Sequence, residues 1–306
     1  METPGAFAPP DTTPALPRVL NEWFQAHGRD LPWRGAPGTI DPWAVLVSEF
    51  MLQQTQVDRV VPRFLEWMAR WPSPSALAAE PAGEAVRAWG RLGYPRRALW
   101  LHRAATEIAQ DHGDRVPHDL DALLALTGVG PYTARAVAAF AHGHRHPVVD
   151  TNTRRVLARL VHGMAAAGPP RAADLDDMNA LLPDAPAEAA MFNAAAMELG
   201  ATVCTARAPR CDACPVARWC EWRGAGFPDN APQGRSKQAP FAGSDRQVRG
   251  RIMAFARAAH GVVLHDEALA AAAEGGVRSP EQPGRALASL VSDGLLVEVS
   301  GGYRLP

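Results

Sequence analysis

The chain is nearly devoid of lysine. Of its 31 Lys and Arg residues only Lys237 is a lysine, and it sits in a Pro/Gly/Ser/Gln-rich stretch that reads as linker. Chemistry that needs a buried lysine nucleophile therefore has no candidate in the folded part of the sequence. Long apolar runs are missing too, and none approaches the roughly 18 residues a membrane helix needs. The opening METPGAFAPPDTTPALP lacks the basic start and apolar stretch of a secretory signal. Residues 1–16 are expected to form a disordered lead, and the chain to be cytoplasmic with reduced cysteines. Charge of one sign is also absent: 31 basic against 32 acidic residues leave a net of −1. No global field draws nucleic acid, so any such affinity must come from local patches.

What remains is a folded profile, 47% hydrophobic and 21% charged, long enough for two domains. From about Leu16 to Trp222 apolar residues recur at three- and four-residue intervals. This periodicity predicts helices over Pro42–Gln53, Val60–Ala69, Glu84–Trp89, Arg97–Gln110, Leu120–Leu126, Tyr132–His142, Thr153–Val161 and Ala189–Val203. Pro- and Gly-bearing breaks separate them, among them Trp71-Pro72-Ser73-Pro74 and Gly128-Val129-Gly130-Pro131. The body is all-α. Residues 224–245 hold few large apolar side chains and read as a linker. Beyond it, Arg246–Ala259, Pro283–Asp293 and a shorter stretch near Glu267 read as helices. LLVEVSGGYRL (295–305) alternates around Gly301-Gly302 as a hairpin does. A winged-helix-like module and a plain helical appendage with a packing hairpin both fit residues 246–306.

Four motifs carry chemistry. Cys204, Cys211, Cys214 and Cys220 are spaced C-x6-C-x2-C-x5-C, and four thiols so close in a reducing compartment point to metal. Structural zinc usually shows two short C-x2-C pairs, whereas an iron–sulfur cubane tolerates wider loops. Spacing alone leaves zinc open. Arg207, Arg210, Arg218 and Arg223 surround these ligands and could present charge to phosphate. Leu126-Thr-Gly-Val-Gly-Pro-Tyr-Thr133 has the L-x-G-x-G form of a helix-hairpin-helix turn. Its glycines let N–H groups at the next helix start face a phosphate. An ordinary interhelical turn has the same composition. Asp150, in Pro147-Val-Val-Asp-Thr-Asn-Thr153, is either a helix N-cap or a carboxylate fixed at the mouth of a cleft. Glu49 is the only acid in the apolar run Trp43–Leu52. It is either solvent-facing or a partly buried acid with a raised pKa, suited to proton donation near neutral pH. The following Gln53-Gln54-Thr55-Gln56 supplies uncharged amide edges.

In this order the four elements resemble the helix-hairpin-helix DNA glycosylases with an iron–sulfur cluster, and among them the adenine DNA glycosylases of the MutY type. The likeness runs from Leu31 to Trp222 through LPWR, SEFMLQQTQV, RLGY, LTGVGPYTA, VVDTNTRRVLARL, FNAAAMELGATVCT and the cysteines. It implies a six-helix barrel (41–142), a discontinuous cluster domain (17–40 and 143–223) and one 4Fe–4S cluster on the four cysteines. It also implies a DNA-associated, monomeric base-excision-repair enzyme that flips adenine out of duplexes where it faces 8-oxoguanine or guanine. By the same resemblance Glu49 protonates adenine and Asp150 stabilises the sugar cation, with Tyr132 and Asn152 orienting Asp150 and water. Gln54 and Tyr94 wedge into the stack, Thr55 and Leu92 lie near the opposite base, and Gly128, Val129 and Gly130 hold phosphate. Trp33, Arg34, Leu52, Val57 and Met197 line the adenine pocket. Ala194 stands where relatives often carry Glu or Gln.

The nearest alternative is the endonuclease III branch, damaged-pyrimidine glycosylases with lyase activity. It carries a lysine after the hairpin glycines, where this chain has Tyr132, and often a His where this chain has Asn152. Thr151, in contrast, is closer to that branch. A non-enzymatic iron–sulfur DNA-binding regulator would explain the cluster and the tail but not Glu49 together with Asp150. The residues after the linker are too few and too helical for the domain with which many adenine glycosylases read 8-oxoguanine.

Overall fold

The computed structural model describes residues 15–35, 39–232 and 240–306. Lys237 and most of the expected lead lie outside them. Among the described residues no helix is long and apolar enough to cross a membrane. The chain divides into two compact units, residues 1–46, 118–124 and 129–234 in one, and 47–117, 125–128 and 235–306 in the other.

In the first unit α1 (Ala15–His27) and α9 (Thr151–Leu160) both pack on α11 (Pro186–Thr202). α11 is apolar on almost every side, the pattern of a helix with no solvent face. Phe192, Ala195, Ala196 and Leu199 meet Leu16, Leu20, Val156, Leu157 and Leu160 in one buried cluster. α1 starts at Ala15, so Leu16 is a core residue and the helix reaches back into the expected lead. α8 (Pro131–Phe140) also lies on α11, which groups residues 131–140 with this unit rather than with the barrel segment. α10 (Ala173–Leu181), rich in acids at its start, adds Met178 to the core. The first part of the linker is tied down: Asn230 donates to Gly163 O (3.0 Å) and accepts from Ala165 N (2.8 Å).

The second unit is built on α3 (Val57–Arg70), α4 (Pro74–Ala78), α5 (Ala82–Trp89) and α6 (Arg96–Asp111). Trp67 stands edge-on to Trp71 (4.6 Å between centroids) and to Trp89 (5.8 Å), and all three indoles are fully buried. Pro74, which reads as a break, instead opens α4: it occupies the first turn while Ser73 Oγ accepts from Ala76 N. α2 (Pro42–Leu52) and α7 (Leu120–Ala125) each give residues to both units.

Residues 245–306 belong to this second unit. α13 (Asp245–Ala258), a bridge from Val263 to Tyr303, α14 (His265–Ala273), α15 (Gln282–Ser292) and the hairpin β1 (Val297–Val299)–β2 (Gly302–Arg304) follow in the winged-helix order. The module docks through Gly83 N to Pro306 O (2.6 Å), Arg87 to the carbonyls of Arg257 and Ala259, and Arg96 to Asp293 (3.3 Å).

Candidate active site and cluster loop

Asp150 is the N-cap of α9 and accepts from Thr153 N at 2.7 Å through Oδ1. Its other oxygen accepts from Asn152 Nδ2 at 2.9 Å. The cap and the fixed carboxylate are thus the same residue, one oxygen each. The approach to it is pinned by the buried Asn193, which accepts from Val148 N (2.8 Å) and donates to the carbonyls of His146 and Ala189 (both 3.0 Å). Arg155 extends the network: it donates to Asn152 Oδ1 (2.9 Å), Gly200 O and Cys204 O (2.7 Å). One guanidinium therefore ties the orienter of Asp150 to the backbone of a cysteine in the cluster loop. The close approach requires Gly200, since a Cβ there would lie 2.8 Å from Asn152 Cβ and from Asn152 O. Tyr132, in the first turn of α8, packs with Met197 against Ala136, Ala139 and Val148.

The two residues expected to wedge into DNA share an unusual backbone. Gln54 (φ 57°) and Tyr94 (φ 48°) are both left-handed and both exposed. Such strain costs on the order of 1–3 kcal/mol per residue and needs surrounding support. Arg97, buried to 3% exposure, supplies it. It donates to Phe50 O (2.6 Å), Met51 O (3.2 Å) and Gln53 O (2.6 Å) at the first turn, to Gly93 O (3.1 Å) at the second, and to Thr55 Oγ1 (3.2 Å). Its guanidinium lies 5.6 Å from the Tyr94 ring centroid. Burial lowers its pKa to about 10, so it remains a full set of donors at neutral pH. Thr55 and Leu92 are buried and joined by Thr55 Oγ1 to Leu92 O (3.2 Å).

The hairpin turns at Gly128, whose φ of 79° suits glycine and whose missing Cβ makes room for Trp100 Cβ (2.7 Å) and Phe50 Cε1 (3.0 Å). Glu107 braces it by accepting from Thr127 N (2.8 Å) and Thr127 Oγ1 (2.6 Å). Val129 is buried, and Gly130 is the extended N-cap of α8 with Pro131 in the first turn.

Cys204, Cys211, Cys214 and Cys220 are free thiols on turns that follow α11. Burial pushes Cys214 up to about 11, and the charges of the neighbouring Cys204, Cys220 and Cys211 push it the same way. Cys211 and Cys220 are raised for the same two reasons. Yet among the described residues no group of three or more His, Cys, Asp or Glu side chains is set to grip a single ion. A lone zinc needs every sulfur about 2.3 Å from one centre. Four cysteines within one short segment are the ligand set of an iron–sulfur cubane, which tolerates wider loops than a lone zinc. Arg159 donates to Cys204 Sγ (3.3 Å) and stacks on Trp222 (4.6 Å), placing a cation against the thiolate set. Arg218 lies over Trp219 and Arg210 donates to Thr202 O, so neither is simply a free surface charge.

Glu49 is 7% exposed within α2 and Trp33 is 8% exposed, while Leu52, Val57, Met197 and Ala194 are half-buried. Arg34 donates to Glu198 (2.8 Å). Glu198, wholly buried on α11, also takes a two-pronged contact from Arg29 (2.6 and 3.0 Å). Its burial favours the neutral carboxyl, but the hydrogen bonds and charges of Arg29 and Arg34 outweigh that and lower its pKa. Breaking a buried pair costs about 3–5 kcal/mol, and the partly exposed arginines reduce this to about 2 here. Glu198→Gln should lose that much in denaturant titration at pH 7. A carboxyl with a lowered folded pKa stabilises above its unfolded value and stops doing so as pH falls through the folded one. The gap between variant and parent should therefore narrow below pH 4.5, the ordinary value for the group. A gap independent of pH would show that the carboxylate charge is not what holds the arginines.

Two family descriptions match this chain: HhH-GPD superfamily base excision DNA repair protein over residues 47–170, and the iron–sulfur binding domain of endonuclease III over 204–220. The adenine DNA glycosylase of Mycobacterium tuberculosis H37Rv is 50% identical over 304 residues, covering 97% of each chain. That of Mycolicibacterium smegmatis is 50% identical over 286 residues, covering 94% of each. The structure of a thermostable thymine-DNA glycosylase superposes with a TM-score of 0.60 at 26% identity, covering 68% of this chain and 95% of that one. With its helix-hairpin-helix turn, cluster loop and near full-length identity, the chain belongs to the adenine DNA glycosylases, base-excision-repair enzymes that carry a 4Fe–4S cluster.

Proposed function

We propose that this glycosylase removes adenine paired with 8-oxoguanine or guanine and does so by hydrolysis alone, without strand cleavage. The observation that carries the chemical part is the fixed carboxylate: Asp150 accepts on both oxygens, from Thr153 N and from Asn152. Glu49 is the proton donor, and its burial suits the part because bulk water is kept from competing as the proton source. The N-glycosidic bond breaks with its electron pair leaving on adenine, which takes the proton of Glu49 as the base departs. Asp150 stabilises the sugar cation until water adds and gives its proton to the Glu49 carboxylate, restoring the acid, the division between two carboxylates known from glycoside hydrolysis. Tyr132 and Asn152 orient Asp150 and that water. Gln54 and Tyr94 hold the opened stack, Thr55 and Leu92 support them near the opposite base, and Trp33, Arg34, Leu52, Val57 and Met197 line the base pocket. Gly128, Val129 and Gly130 grip phosphate beside the flipped nucleotide. Cys204, Cys211, Cys214 and Cys220 hold the cluster, which is structural in this reaction.

No Schiff base forms, because Tyr132 occupies the position of the lyase lysine and Lys237 lies in the linker. On duplexes with adenine opposite 8-oxoguanine or guanine, the holoenzyme should leave abasic sites that break only after alkali. Borohydride should trap little or no protein–DNA adduct, and thymine glycol should be ignored. Efficient trapping that persists after Lys237→Ala and blocking of the N-terminal amine would overturn the hydrolytic reading.

A further inference from the structure

α13 carries four arginines, Arg246, Arg249, Arg251 and Arg257, interleaved with apolar Ile252, Phe255 and Ala256. They do not form one set. Arg249 donates to Ser289 Oγ and to Asp293 (2.5 Å), and Arg251 to the carbonyls of Ala272 (3.1 Å) and Gly276 (2.9 Å). Both are consumed inside the module. Arg257 stands in the last turn of α13. Its backbone carbonyl accepts from Arg87, and its guanidinium comes near enough to Arg91 to be repelled by it.

Other arginines crowd the same place. Arg59 donates to the backbone carbonyl of Arg91, and the Arg63 guanidinium would lie 3.4–3.5 Å from a Cβ on Gly90. Two nearby acids are already engaged: Glu66 with Arg63, and Glu84 with Arg70 and Arg87. Among the described residues no ion pair reaches Arg59, Arg91 or Arg257. Burial lowers the pKa of Arg257, and the charge of Arg91 lowers it further, so the protein holds this cation at a cost. Arg91 directly precedes Leu92-Gly93-Tyr94, and Arg59 lies on the first turn of α3, just after Gln54-Thr55-Gln56.

We propose that Arg257 of the tail completes, with Arg91 and Arg59, a binding site for a backbone phosphate of the DNA strand at the foot of the 92–94 loop. The winged-helix-like module is then part of the DNA footprint through this one residue, not through the rest of α13. The proposal rests on the DNA-wedging role given above to Gln54 and Tyr94. Arg257 and Arg91 repel each other, Arg59 reaches the Arg91 carbonyl beside them, and an anion received there offsets that repulsion. With Arg59 and Arg91 exposed and Arg257 half-buried, the site suits a phosphate delivered by a polymer that is already held elsewhere.

The test is Arg257→Gln in the full-length holoenzyme, with Arg304→Gln as the control at an exposed tail arginine outside the proposed site. Duplex dissociation constants are measured by fluorescence anisotropy across a KCl series. Arg257→Gln should weaken binding about 3- to 10-fold and reduce the salt slope by about 0.9, one phosphate contact, with Arg304→Gln unchanged. Arg91→Gln/Arg257→Gln should lose less than the sum of the single changes, because the two share one phosphate. Thermal melting of free Arg257→Gln should be equal to the parent or higher, since a repelled, desolvated cation is removed; a purely structural arginine would lower it. A parental slope and affinity in Arg257→Gln, with duplex binding intact, would overturn the proposal alone. Failure of the parent to bind duplex would overturn it together with the functional reading. Inorganic phosphate competing against the parent but not against Arg257→Gln, with equal salt slopes, would assign the site to a free anion and also refute it.

Discussion

Glu49→Gln should bind a duplex with mispaired adenine as the parent does, yet excise the base at least about 100-fold more slowly in a single turnover. The two halves of that result test different things. Glutamine keeps the size and hydrogen-bonding reach of the side chain, so the pocket and the wedge residues are undisturbed. What it removes is the transferable proton. Adenine leaves poorly as an anion, and a positioned acid lowers the barrier by about 3 kcal/mol for each factor of roughly 100 in rate. Because Glu49 is buried, bulk water is a poor substitute donor. The pH profile adds a second readout: the parent should lose activity as pH rises through the pKa of the acid, and the variant's residual rate should lack that limb. Near-normal excision by Glu49→Gln would remove Glu49 from the chemistry and leave Asp150 as the only assigned carboxylate.

Much of the fold was legible because it is written in short spacings. The helix bodies over residues 42–52, 96–111 and 186–202 follow from apolar periodicity, and the hairpin from paired glycines at 128 and 130. The tail was legible only as alternatives; the Val263–Tyr303 bridge, a contact across 40 positions of sequence, decides for the winged-helix order. α4 escaped because Pro74 looks the same as a helix breaker and as a helix opener until the Ser73 cap is seen. The supporting shell was not legible at all. Arg97 reaches carbonyls 44–47 residues away, Arg155 a carbonyl 49 residues away, and Arg29 and Arg34 a carboxylate 169 and 164 residues away. In a chain whose basic residues are almost all arginine, nothing local distinguishes these from surface charges. A weak signal did exist for Glu198, an acid inside the apolar stretch FNAAAMELGA.

Arg97→Met should disable mispair recognition more than general DNA binding, and the reason lies in how the two wedge loops are held. Gln54 and Tyr94 sit in left-handed backbone that neither side chain favours. The Arg97 guanidinium makes most of the bonds that join the two segments, donating to Phe50 O, Met51 O and Gln53 O on one side and to Gly93 O on the other, beside the single bonds Thr55 Oγ1 to Leu92 O and Arg59 to Arg91 O. Methionine fills much of the volume but offers no donor. Each buried acceptor left unmade costs about 1–3 kcal/mol, so two of them outweigh the packing that methionine retains. The loops should then relax toward unstrained backbone, withdrawing the wedges from the positions that oppose the duplex. Affinity for a mispaired over a matched duplex should fall about 10-fold or more, with nonspecific affinity at low salt nearly unchanged. Melting temperature should drop as well. Arg97→Lys sharpens the test: one ammonium keeps the charge but cannot span five acceptors on two segments, so it should recover stability in part and discrimination hardly at all. If Arg97→Met kept full discrimination between mispaired and matched duplex, the left-handed geometry of Gln54 and Tyr94 would have to be held by the loops themselves.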